Sequence, residues 1–130
     1  MNFHRRLIIL LLFVCMLFIL ISGCTFIIPD YGNYTVSYIR ISPSFATIEV
    51  DTFKIFKVYA YDSEGNVIPI EASEVTWEWA FECPLCGEVA AIKPASGSIT
   101  TSFTPYRIGL YYIYAYYQGK KDNAPVQVIQ

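Results

Sequence analysis

From residue 35 to the end of the chain, apolar side chains recur at alternate positions in short runs, and turn-forming residues stop each run. A period of two is the period of a strand, whose successive side chains point to opposite faces. The clearest run is 109–117, Gly-Leu-Tyr-Tyr-Ile-Tyr-Ala-Tyr-Tyr. A second long run, 53–61, puts Phe56, Val58 and Ala60 on one side and Lys57, Tyr59 and Tyr61 on the other. In 75–80, Val75, Trp77 and Trp79 share a face, and in 98–103 Ile99, Thr101 and Phe103 do. Shorter strands are predicted at 35–41, 46–50, 67–70, 88–92 and 125–129. Ser42-Pro43-Ser44, Asp62-Ser63-Glu64-Gly65-Asn66, Lys93-Pro94 and a polar turn at 118–123 separate them. Pro69 confines 67–70 to a sheet edge, because proline has no N–H for a ladder.

Short strands with turn signals about every eight to twelve residues predict an all-β fold, an antiparallel β-sandwich of about seven strands. Each strand then needs one apolar face, turned toward the opposite sheet. A helix bundle is a poor alternative for a chain so rich in β-branched and aromatic residues.

Several fragments resemble bacterial immunoglobulin-like domains of the invasin and intimin type. They are Ile39-x-Ile41-x-Pro43, Phe56-x-Val58-x-Ala60-x-Asp62-x-x-Gly65-Asn66 and Val75-Thr76-Trp77 in the first half. Gly97-x-Ile99, Phe103-x-Pro105, Gly109-x-Tyr111-x-Ile113-x-Ala115 and Ala124-x-Val126-x-Val128 continue it in the same order. The resemblance spans 37–129 and implies an Ig-like sandwich with Trp77 in its core, Tyr111 as a corner tyrosine, and no catalytic residue. Cys83–Cys86 is an insertion relative to that pattern.

The N-terminal segment has a different composition. His4, Arg5 and Arg6 precede an uncharged apolar run, 7–21, and Leu20-Ile21-Ser22-Gly23-Cys24 closes it. This is the order of a bacterial lipoprotein signal: basic region, apolar region, small residues, cysteine. Fifteen residues of helix reach about 22 Å, short of the roughly 30 Å bilayer core. Residues 1–23 are therefore predicted to be a cleaved signal helix, Cys24 a lipidated N-terminus, 24–34 a tether and 35–130 the sandwich domain. An uncleaved transmembrane helix over 7–28 and ordinary secretion are the alternatives. Acyl chains on Cys24 would attach the chain to a membrane at about 0.8 kcal/mol per buried CH₂.

Cleavage would also remove the only histidine, His4, and with it the commonest general base and metal ligand. Losing Arg5 and Arg6 leaves seven basic against eleven acidic side chains. A domain of that balance, with no basic stripe in its sequence, is not expected to bind nucleic acid. No nucleophile is paired with a base and no phosphate-binding glycine loop is present, so an enzyme is not expected. Glu74, Glu78 and Glu82 read as solvated charges.

Three features remain as candidate chemistry. Cys83-Pro-Leu-Cys86-Gly87 is a local disulfide or thiol pair, half of a metal site completed by a second copy or by Glu82 and Glu88, or a redox pair. No cofactor or resident metal is expected. The acidic turn 62–66 is an ordinary hairpin turn, lacking the full calcium-loop spacing. Tyr112, Tyr114 and Tyr116 alternate on the last long strand and are expected to face outward, flanked by strands presenting Glu78 and Gln127. Such a stripe is either a face for a protein or glycan partner or a set of solvent-side strand residues with cross-strand neighbours. Together these features predict a lipid-anchored, extracytoplasmic envelope protein whose single domain is a binding or structural module of adhesion type. A thiol-redox or metal-handling lipoprotein, or an accessory subunit of an envelope complex, is the alternative.

Overall fold

The computed structural model describes residues 34–82 and 89–130. They form nine strands: β1 (Tyr38–Ser42), β2 (Ala46–Glu49), β3 (Lys54–Tyr61), β4 (Val67–Ile68), β5 (Thr76–Phe81), β6 (Ala90–Lys93), β7 (Thr100–Pro105), β8 (Gly109–Tyr117) and β9 (Lys120–Ile129). A 3₁₀ turn, Ala72–Glu74, leads into β5. One sheet has the order β1-β3-β7-β6, with β4 pairing β3 beside that path, and the other has the order β2-β9-β8-β5. This division of strands between two sheets is that of immunoglobulin-like sandwiches.

The core lies between the sheets and follows the alternation in the sequence. Phe56, Val58 and Ala60 of β3 are buried, as are Tyr111, Ile113, Ala115 and Tyr117 of β8. Trp77 on β5 is buried with its indole N–H donating to the Ser98 carbonyl at 2.8 Å. The Tyr111 hydroxyl donates to the Arg107 carbonyl, 2.9 Å away and four residues upstream, and lies 3.2 Å from the Val89 carbonyl. That is the hydrogen bond of a tyrosine corner. Burial pushes the Tyr111 hydroxyl pKa up, against the lowering effect of its Arg107 bond. Two residues further, where many immunoglobulin domains carry a disulfide cysteine, stands the buried Ile113. Every buried side-chain nitrogen and oxygen among the described residues has a hydrogen-bond partner, so this core carries no orphaned polar atom.

Three expectations need correction. The described residues form nine strands, one for each run marked along the sequence, rather than about seven. It is not wholly antiparallel, because β2 runs parallel to β9. The last strand begins at Lys120, not at 125. Gln118 (φ 45°) and Gly119 (φ 72°) alone make the β8–β9 turn. Positive φ at both central residues gives a two-residue hairpin whose twist matches its strands. The polar residues 120–123 therefore pair with Tyr114–Tyr117 instead of looping out.

The chain also changes sheets between its first two strands. β1 pairs antiparallel with β3, and β2 then pairs with β9 across the sandwich. At that seam the Asp122 carboxylate accepts from the Ile41 N–H at 2.8 Å, and its other oxygen lies 3.5 Å from Arg40 Nη1. A side chain thus satisfies a donor on the outer edge of β1, which has no strand beyond it in its own sheet. Asp122→Ala should lower stability by about 1–3 kcal/mol, because a shielded donor loses a charged acceptor. Asp122→Asn keeps an acceptor and should lose less than about 1 kcal/mol, the scale of the exposed Arg40 pair. Urea unfolding midpoints of the two variants check the order; equal losses would mean that the ion pair, not the backbone bond, holds the seam.

The predicted signal helix, the lipidation site Cys24 and all of the tether except Tyr34 lie outside the described residues. So do Cys83, Cys86 and Glu88. Among the described residues no helix is long and apolar enough to cross a membrane.

Candidate partner-binding face

The outer face of the second sheet is set by the same alternation that builds the core. With Tyr111, Ile113, Ala115 and Tyr117 pointing in, Tyr112, Tyr114 and Tyr116 point out and are half-buried by their neighbours. Their cross-strand partners are Ala80, Glu78 and Thr76 on β5, and Pro125, Asn123 and Lys121 on β9. The Tyr116 hydroxyl donates to the Glu78 carboxylate at 3.0 Å. The Tyr112 and Tyr114 rings stack at 6.5 Å with 24° between their planes. Lys121 Nζ lies 4.1 Å from the Tyr114 ring centroid and 5.2 Å from that of Tyr116.

The geometry is that of an ordered aromatic ladder on a sheet. A cation over a tyrosine face contributes about 0.5–1 kcal/mol when exposed, so Lys121 and Glu78 hold the rings in place more than they stabilise the domain. Held rings lose little rotamer freedom on meeting a partner, which favours binding. The ladder sets Tyr112 and Tyr114 side by side with the Glu78 carboxylate and the Lys121 ammonium on one face.

Glu78 lies opposite Tyr114 as expected, whereas Gln127 lies opposite Leu110, two residues before the first of the three tyrosines. Lys121 is the residue that sequence reasoning missed, because 118–123 reads as a turn. The signal was nonetheless present. The alternation of Ala124, Val126 and Val128 extends backwards through Asp122, which puts Lys121 and Asn123 on the outer face.

The turn at 62–66 closes on itself. Asp62 Oδ1 accepts from the N–H groups of Glu64 (2.9 Å) and Asn66 (2.8 Å), and Oδ2 accepts from the Asn66 side-chain amide at 3.0 Å. Those bonds, led by the Asn66 side chain, hold the Asp62 carboxyl below its ordinary pKa range. The carboxylate is spent on the turn itself, as in an Asx turn. Among the described residues no three His, Cys, Asp or Glu side chains converge as a metal site would require.

The fold and this face define an immunoglobulin-like β-sandwich with an aromatic outer sheet. No protein-family model matches the chain, and no curated protein matches it. Solved structures do. It is similar to domains 5–6 of the S-layer protein SbsC, with a TM-score of 0.56 and 19% identity over 75% of this chain and 45% of that one. It is also similar to domains 4 and 5 of SbsC (TM-score 0.53, 17% identity, 75% of this chain, 54% of that one). The ZirS C-terminal domain matches with a TM-score of 0.53 and 14% identity over 75% of this chain and 71% of that one. The chain thus spans about half the length of the SbsC fragments. At such identities the likeness is one of fold.

Proposed function

We propose that this chain is a lipid-anchored module of the cell envelope that holds a protein or glycan partner on the outer face of β5, β8 and β9. The observation that carries the reading is the ordered ladder of Tyr112, Tyr114 and Tyr116 braced by Lys121 and Glu78. Rings already held by their cross-strand neighbours give up little freedom on meeting a partner, so a binding face gains from this bracing. The Leu20–Cys24 sequence supports the anchor, and the likeness of fold to S-layer domains suits a role outside the cytoplasm. Binding rather than catalysis fits a mature chain that would contain no histidine.

Two measurements test the reading. Intact mass of the protein from its host, with and without reductant, reports cleavage, acylation and the state of Cys83 and Cys86 together. An unmodified N-terminus at Met1 overturns the lipid anchor. For the face, Tyr112, Tyr114 and Tyr116 are replaced together by Thr, which retains strand preference. Aromatic anchors in interfaces each contribute about 2 kcal/mol or more, so binding to envelope extract should fall at least 30-fold while the unfolding midpoint moves little. Unchanged binding with an intact fold would remove the stripe from the interface.

A further inference from the structure

We infer that the opposite outer face, on the β1-β3-β7-β6 sheet, is a docking surface for an anionic membrane. This rests on the lipid-anchored reading of the N-terminus. The register places Tyr38 and Arg40 of β1, Ile55, Lys57, Tyr59 and Tyr61 of β3, and Lys93 of β6 on that one face. The remaining outward strand positions there are neutral: Ser42, Val67, Ala91, Thr100, Ser102 and Thr104. Three cations and no strand-borne carboxylate thus share a face of a chain whose net charge is −2. The acids near this sheet stand on its loops: Asp51 before β3, Asp62 and Glu64 in the turn beyond Tyr61, and Glu71 after β4, while Asp122 meets Arg40 at the seam. Arg40 keeps 63% of its side chain exposed despite that contact.

The apolar content points to lipid rather than sugar. Ile55 and Val67 are 56% and 61% exposed and add apolar surface at the two ends of β3. A cleft of about 200 Å³ opens between β4 and the start of β7, floored by Val58, Ile68, Ile70 and Ile99, with Lys57 and Tyr59 among its walls. Apolar floor, tyrosines and cations are the sequence of polarities through a bilayer interface. The Lys57 ammonium lies 4.8 Å from the Tyr59 ring centroid, and the Arg40 guanidinium 5.2 Å from that of Tyr38.

The chain leading to the face argues for the same occupant. Tyr34 stands ten positions after Cys24, and the chain then enters β1 at the edge of this sheet. Extended, that tether reaches about 35 Å. A domain held so close meets the headgroups at an effective concentration in the millimolar range. Each cation near an anionic leaflet then contributes roughly a fivefold gain.

The test uses the full chain as isolated from its host, in vesicles of phosphatidylcholine alone or with phosphatidylglycerol, labelled by a membrane-impermeant amine reagent. Lys121, on the far sheet, is the internal reference. Labelling of Lys57 and Lys93 relative to Lys121 should fall at least fivefold in the anionic vesicles, and 0.5 M salt should restore it. Equal labelling in both vesicles overturns the proposal. Protection by a soluble polyuronate in place of lipid would assign the face to an acidic glycan, and lipid-independent protection that grows with protein concentration would assign it to a second copy; both overturn it. Flotation separates the two readings. Failure to float with neutral vesicles refutes the anchor, while protection on anionic ones would still support docking. Flotation with neither refutes both.

Discussion

Trp77→Ala should destabilise the domain by about 3–5 kcal/mol, the range for deleting a large buried aromatic side chain. Trp77 is 2% exposed and stands on β5 at the centre of the sandwich, opposite Ala115 of β8. Its removal leaves a cavity that the two sheets close only partly, because each is held by its own ladder. It also strips the Ser98 carbonyl of its indole donor. A domain of this size has about 5–15 kcal/mol in total, so the variant sits near the unfolding threshold. Trp77→Phe refills most of the volume and leaves only the carbonyl unpaired; it should cost about half as much. Chemical denaturation of the three proteins checks the prediction. A loss under 1 kcal/mol for the alanine variant would place Trp77 outside the load of the core.

Gly109→Ala should cost about 2–4 kcal/mol although it adds one methyl group. Gly109 opens β8 with φ 144°, a conformation L side chains rarely adopt, and such backbone strain costs about 1–3 kcal/mol. A Cβ built there would meet Phe81 Cε2 at 2.5 Å and Cζ at 3.1 Å. Phe81 lies across the glycine and stacks on Tyr111, ring centroids 4.5 Å apart and planes 19° apart. The ring can swing away, but then the stack is lost, at about 0.5–1.5 kcal/mol. A double-mutant cycle with Phe81→Ala separates the two causes. With Phe81 already truncated, Gly109→Ala should retain only the backbone part of its cost. Full additivity would show that the ring never felt the new methyl group.

Both sites show what could be read along the chain. The strand alternation grouped Trp77 with Val75 and Tyr111 with Ile113 and Ala115, since period two is a local property of a pleated backbone; the resemblance to immunoglobulin-like domains is what implied that those faces are the buried ones. The identity Gly109-x-Tyr111 was visible too. That Phe81 is what fills the space above Gly109 was not, because the contact joins two strands and depends on their register. The candidate face divides in the same way. Tyr112, Tyr114 and Tyr116 were placed outward by alternation alone. Lys121 falls in a loop when 118–123 is read by its polarity, and on the outer face only when the alternation of 124–128 is carried back through Asp122.

The sequence by itself determined the class of structure: strands rather than helices, which face of each strand is apolar, and a distinct N-terminal segment ending at Cys24. Those follow from side-chain periodicity and composition, which act within a few residues. The tertiary structure decided the strand order, the passage of the chain from one sheet to the other, the parallel pairing of β2 with β9, and Asp122 as the clasp for Ile41. It also decided that Arg40, Lys57 and Lys93, far apart in the chain, share one face free of strand carboxylates. Such juxtapositions are made by hydrogen-bond register between distant segments, and register is a property of the assembled sheet, not of any strand in it.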